Sequence, residues 1–153
     1  MIACASSSCP TQCQPSTDTL HAMINQRPLA VHSLLAAMTL RPELSTMPSH
    51  WIWKIIAEGK VDRKRASIGL FIDRDLVPGT YDLITSSQIR IVYSQTPHSK
   101  GAIFHSAHFQ SGYLTLLEAD IPAKRLKGHF GFSISAINFE VTDGAFDVQC
   151  QLL

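Results

Sequence analysis

The feature that most constrains how this chain can fold is a two-residue alternation of apolar and polar side chains. In residues 125–134, RLKGHFGFSI, the apolar residues and one glycine occupy the even positions. Successive side chains of a β-strand point to opposite faces of the sheet, so one face of this segment is apolar. We therefore predict a half-buried strand whose inward residues are Leu126, Gly128, Phe130, Phe132 and Ile134.

The same alternation recurs along most of the chain. HWIWKIIAEG places Trp51, Trp53, Ile55 and Ala57 on one face and Ile52, Lys54, Ile56 and Glu58 on the other. ASIGLFID gives Ile68, Leu70 and Ile72 an inward face, and the charged segment EGKVDRKRA between these two strands predicts a solvated hairpin turn. Further short strands are predicted at TYDLI and QIRIVYSQ, and AIFHSAHF and GYLTLLEAD are expected to be neighbouring strands.

The two ends of the folded region are interpreted in the same way. Near the start, we expect a short strand over Leu20–Ile24, a turn at Asn25-Gln26 and an extended segment after Pro28. The alternative is a helix over residues 28–40, because Leu and Ala favour helices and Pro is common at a helix start. Near the end, Asp143-Gly144 predicts a tight two-residue hairpin turn, followed by an inward face made of Phe146, Val148 and Cys150.

Eight to ten short strands separated by turns predict an all-β protein, an antiparallel β-sandwich or a partly closed barrel. Residues 20–153 are expected to form one domain, preceded by a flexible tail rich in Ser, Cys and Pro over residues 1–19. The composition, 45% hydrophobic and 16% charged, is that of a packed globule.

Charge and hydropathy narrow the classes of partner. The net charge of +1 provides no long-range field for nucleic acid, so no nucleic-acid partner is expected. No run of 18 apolar residues is present, so no membrane span is expected. Because no signal peptide is recognisable, the expected location is the cytoplasm, or the cell envelope if the start is assigned wrongly.

The segments AMINQRPLAV and TDGAFDV carry a family resemblance. TDGAFDV, together with the strand that precedes it, resembles the C-terminal end of a group of small bacterial β-domains of unknown function, which are often found as envelope lipoproteins. AMINQRPLAV resembles the N-terminal start of the same domains. The resemblance covers roughly residues 20–150. It implies a β-sandwich without an established activity, and it carries no catalytic residue over to this chain.

Histidine is the residue type that points most directly to chemistry. His98, His105 and His108 lie within eleven residues, and His129 falls on a strand that could be adjacent. Three imidazoles can hold zinc or another transition metal. In a regular strand, however, His105 and His108 point to opposite faces, so surface histidines without a ligand role are the competing interpretation.

Other candidate ligands have simpler interpretations. Cys4, Cys9 and Cys13 could bind a soft metal, but their spacing matches no zinc knuckle. Carboxylates near predicted turns could bind calcium, although no calcium-loop motif is present; they are Asp73, Asp75, Asp82, Glu118 and Asp120.

We therefore predict a non-enzymatic binding or interaction module without a cofactor, which meets an unknown protein partner or small ligand through loops or a sheet edge. A small metal-binding protein or metal-dependent enzyme built on the four histidines is the alternative. A third hypothesis is a homodimer formed through an edge strand, which requires a long unpaired edge free of charge and proline.

Overall fold

The computed structural model describes residues 18–40, 51–96, 102–106, 109–135 and 138–152. Within these ranges the chain forms ten strands of four or more residues and two strands of two residues, and no α-helix. The predicted tail, residues 1–19, lies outside the described residues except for its last two, and Thr19 is the first residue of a strand. The strands are β1 (Thr19–Ile24), β2 (Arg27–Pro28), β3 (Ala30–Leu40), β4 (Trp51–Val61), β5 (Lys64–Asp73), β6 (Gly79–Asp82), β7 (Ile89–Thr96), β8 (Ala102–His105), β9 (Ser111–Asp120), β10 (Arg125–Ile134), β11 (Phe139–Gln149) and β12 (Gln151–Leu152).

The strands form two six-stranded sheets that pack face to face. The first sheet has the order β2-β1-β11-β10-β9-β6, and the second has the order β12-β3-β4-β5-β7-β8. All described pairs are antiparallel except β12 with β3, which is parallel. Neither sheet closes on itself, so the predicted β-sandwich is confirmed and the barrel is not formed.

The core lies between the sheets, on the faces that the alternation predicted. Trp53, Ile55 and Ala57 of β4 are fully buried in it, as are the inward residues of β5. Ile52 departs from the prediction of one buried side, because it lies on the opposite face of β4 and is nevertheless fully buried.

The predicted hairpin at Asp143-Gly144 is wrong. β11 runs unbroken from Phe139 to Gln149, and Asp143, with φ 54°, is the extra residue of a β-bulge within it. A tight hairpin turn and a bulge both require positive φ, so the same dipeptide serves either structure. The bulge is located where β11 packs closely on β10, since a Cβ atom at Gly144 would lie 2.5 Å from the carbonyl oxygen of Phe130.

The strand order decides two further expectations, the alternative helix over residues 28–40 and the pairing of AIFHSAHF with GYLTLLEAD. β3 is a strand rather than the alternative helix, because it pairs with β4 along its whole length from Ala30 to Leu40. β8 and β9 are not neighbours: β8 pairs with β7 in the second sheet, and β9 pairs with β10 and β6 in the first. The connection between β8 and β9 therefore crosses from one sheet to the other.

The sequence contains no apolar run long enough for a membrane-spanning helix, and the structure can be compared with that expectation. Over the ranges that the structure describes, no helix is long and apolar enough to cross a bilayer.

Candidate functional site

An open groove of about 570 Å³ crosses the outer face of the second sheet, near the hairpin that joins β4 to β5. It extends from β3 across β4 and β5 to β7, so four adjacent strands contribute to it. We call it the basic groove. Its lining residues are His32, Glu58, Gly59, Lys60, Arg65, Ala66, Ser67 and Ser94.

Two cations face each other in the basic groove. The two-residue loop Asp62-Arg63 pairs Val61 with Lys64, and it thereby places Lys60 directly opposite Arg65. Both side chains are exposed. Like charges directly opposite each other on neighbouring strands are destabilising, so this pair weakens the hairpin unless an anion lies between the charges.

Some other cations of the described residues do have a carboxylate partner. Arg27 contacts Asp62 at 2.6 Å, and Arg125 contacts Asp147 at 2.6 Å. In the part of the chain that the structure describes, no carboxylate lies within salt-bridge distance of Lys60 or Arg65. The groove therefore has two positive charges that are available to a ligand.

Two hydroxyl groups complete the floor of the groove. Ser67 on β5 is opposite Ser94 on β7, and their Oγ atoms are 2.5 Å apart. One hydroxyl donates to the other, so the second hydroxyl hydrogen is free to donate to a ligand. Both serines are half-buried, which limits competition from water.

A β-bulge in β3 brings an imidazole to the groove. Val31 pairs with Gly59 and Ser33 pairs with Glu58, so His32 is the extra residue between them. The bulge brings the two backbones very close, and a Cβ atom at position 59 would lie 2.2 Å from the carbonyl oxygen of Ala30. Only glycine fits at position 59, and bulges commonly redirect a side chain in this way.

The groove is suited to holding an anion. Lys60 and Arg65 provide positive charge, and a serine hydroxyl provides a neutral donor. Within the described residues, no hydrogen bond joins His32 to Ser67 or Ser94.

The structure does not bring the predicted histidines together where it describes them. His129 is exposed on β10 in the first sheet, whereas the backbone of His105 belongs to β8 in the second sheet. His98 and His108 lie outside the described residues. Across the described ranges, no group of three or more His, Cys, Asp or Glu residues could hold a metal. The four-histidine site stays a prediction.

Several of the candidate carboxylate ligands support turns. The carboxylate of Asp73 accepts a hydrogen bond from the backbone of Asp75 at 2.8 Å, and Asp82 accepts one from Ile84 at 2.7 Å. Asp120 accepts a hydrogen bond from Ala123 at 3.0 Å. These are local turn contacts of the kind that Asp side chains commonly make. Cys4, Cys9 and Cys13 lie outside the described residues.

Two buried titratable groups lie away from the groove. Burial raises the pKa of the Tyr93 hydroxyl to about 12, and this hydroxyl donates a hydrogen bond to Gln95 at 3.0 Å. Burial, together with the charge of Asp18, raises the pKa of the Cys150 thiol to about 12. Both groups are therefore protonated at neutral pH and have structural roles.

The groove does not follow from the alternation of apolar and polar residues, although part of its signal is present in the sequence. A two-residue loop at Asp62-Arg63 requires Lys60 to face Arg65, which a register argument could have found. The other contributors depend on the order of strands in the sheet. Comparisons of the chain with protein-family models, with curated proteins and with solved structures found no match.

Proposed function

We propose that this protein is a non-enzymatic binding module that recognises an anionic ligand in the basic groove. The observation that carries the proposal is the cross-strand pair Lys60 and Arg65, two exposed cations placed side by side without a described carboxylate partner. Such a pair lowers the stability of the empty protein, and an anion bound between the two charges would reverse that effect.

The neighbouring groups favour an oxyanion as the recognised chemical group. Arg65 can donate two parallel hydrogen bonds to a carboxylate or phosphate, and Lys60 adds a compact positive charge. Glu58 lies directly opposite Ser67 and disfavours an anion beside the two serines, so we expect the ligand charge to lie towards the hairpin end, between Lys60 and Arg65. The free hydroxyl hydrogen of the Ser67 and Ser94 pair is then a donor for an uncharged oxygen of the ligand.

Isothermal titration calorimetry with inorganic pyrophosphate tests the proposal. We expect binding to the unmodified protein to weaken as salt is added, because exposed charges are screened at physiological ionic strength. The double variant K60Q/R65Q should bind at least about tenfold more weakly, since each hydrogen bond between charged groups contributes about 1.5–3 kcal/mol.

A matched control variant separates the groove from the total charge. R90Q/K127Q also removes two exposed cations, one on the outer face of each sheet and both outside the groove. It should bind pyrophosphate as the unmodified protein does. Equal weakening in both double variants would show that pyrophosphate follows net charge, and the proposal would be wrong.

A further inference from the structure

The free edge of β3 is the second unusual feature of this face of the protein. β12 pairs only with Ala37 and Met38 of β3, and no other described strand pairs with that edge. The N-terminal half of the strand, from Ala30 to Leu35, is exposed or half-buried. The backbone of these six residues, about 20 Å long at about 3.3 Å for each residue, is therefore unpaired on this side by any strand that the structure describes.

This edge lacks the charge and the proline that commonly prevent strand pairing, and its one protective feature is the bulge at His32. The eleven residues of β3 include no Lys, Arg, Asp, Glu or Pro. The outermost strands are protected: β2 consists of an arginine and a proline, β6 has four residues and ends in Asp82, and β8 has four residues. Natural proteins block exposed edges with charge, proline or short strands, so a long uncharged edge indicates a surface used for pairing.

A second copy of the chain fits this edge poorly. The bulge at His32 interrupts the regular register, and β12 already occupies Ala37, so only Ser33–Ala36 can pair regularly. A symmetric antiparallel pair would have to use this short run in both copies. Strands of about five or six residues are typical, and an extended segment of another protein brings no second bulge to the pairing.

The charges beside the edge define the chemistry of such a segment. Lys60 lies opposite Ala30, whose side chain ends at Cβ, so the lysine can extend over it to the edge. Glu58 lies opposite Ser33 and disfavours a negative charge further along the strand. On the inner face, Val31 and Leu34 pack against the core, so alternate residues of an added strand should be apolar.

We infer that the free edge of β3 binds an extended segment of a partner protein, with apolar residues at alternate positions and an acidic residue beside Lys60. This inference rests on the proposed function, because the segment places its acidic side chain at the entrance of the basic groove. Binding would use strand addition, in which backbone hydrogen bonds supply affinity and alternate side chains supply specificity.

Fluorescence anisotropy with a labelled synthetic peptide tests the inference. The peptide has about seven residues, the typical length of a strand. Glutamate occupies its first and third positions, threonine its fifth and seventh, and valine the positions between. The comparison peptide has the same side chains but carries N-methyl groups on alternate backbone nitrogens, first in one register and then in the other.

We expect the unmodified peptide to bind and one N-methylated register to bind at least tenfold more weakly, because two or three backbone hydrogen bonds of about 1 kcal/mol each are lost. Replacing both glutamates by lysine should also abolish binding. If both N-methylated peptides bind as tightly as the parent, attraction is electrostatic only, and the edge inference is wrong while the groove proposal stands.

The remaining outcomes are also distinguishable. Binding of pyrophosphate without binding of the peptide would overturn the edge inference alone, and failure of both probes would overturn the proposed function as well. Sedimentation velocity of the free protein provides the last check. A dimer that prevents peptide binding would identify a second copy as the occupant of the edge and would also overturn the inference.

Discussion

Replacing Gly59 by alanine should destabilise the protein and impair the basic groove together. A Cβ atom at this position would lie 2.2 Å from the carbonyl oxygen of Ala30 and 2.9 Å from the Cα atom of Val31. Both contacts are with backbone atoms, which cannot rotate away as the end of a side chain can. The β3 and β4 backbones must therefore separate by about 1 Å, which lengthens a hydrogen bond from about 2.9 to about 3.9 Å and breaks it.

The expected loss follows from the two physical costs. Forcing an additional methyl group into a packed site costs about 1–3 kcal/mol, and each backbone hydrogen bond lost adds about 1 kcal/mol. We therefore expect Gly59→Ala to lower the free energy of unfolding by about 2–4 kcal/mol. For a chain of this length, each 1 kcal/mol lowers Tm by about 2–4 °C, so Tm should fall by about 5–15 °C.

Urea unfolding monitored by tryptophan fluorescence measures the effect, and Gly69→Ala is the matched control. A Cβ atom at Gly69, in the neighbouring strand β5, would lie 3.1 Å from the Phe71 ring and 3.2 Å from the end of Ile56. Both neighbours are side chains that can move, so the control should lose less than about 1 kcal/mol. Equal stability of the two variants would refute the packing argument for the bulge.

Three further predictions concern other parts of the fold. Tyr93 and Cys150 have folded-state pKa values of about 12, so both side chains ionise first in the unfolded chain. The free energy of unfolding should therefore fall as pH rises from about 9 to about 12, by up to about 1.4 kcal/mol per pH unit for each of the two groups. A stability independent of pH over this range would contradict this prediction. A second prediction uses a variant that keeps Cys150 as its one cysteine. A thiol reagent at pH 8 should react with it at least tenfold faster in urea than in buffer, since burial raises the pKa of the thiol. Equal rates would show that the thiol is accessible in the folded protein. Arg27→Gln should change the free energy of unfolding by no more than about 1 kcal/mol, because the side chains of Arg27 and Asp62 are 63% and 55% exposed; a larger loss in urea unfolding would mean that this ion pair secures the turn.

The parts of the fold that could be predicted from the sequence depend on local periodicity. The inward faces of β4 and β5 follow from alternation alone, because side chains separated by two residues share a face whatever the neighbouring strands are. Ile68, Leu70 and Ile72 are accordingly fully buried, as predicted. The charged hairpin between these strands was also predicted correctly, since Asp62 and Arg63 form its two-residue loop.

The parts that could not be predicted depend on pairing between distant residues. Asp143 adopts positive φ in a bulge because β11 is held on both sides, by β10 and β1, and neither pairing leaves a local signal. The basic groove also depends on pairing between residues that are distant in the sequence. Ser94 reaches it because β7 pairs with β5 while β6 joins the other sheet, an order that no short pattern specifies.

An amide-resolved NMR titration with inorganic pyrophosphate tests whether the basic groove binds an anion. Binding there should produce chemical-shift changes concentrated in residues 58–67 and at His32 and Ser94, and these changes should be lost in the K60Q/R65Q variant. A second cavity, of about 530 Å³ and lined by amide and hydroxyl side chains such as Asn25 and Gln110, offers an internal comparison. Shifts at that cavity, or shifts at the groove that persist in the double variant, would contradict anion recognition by the basic groove.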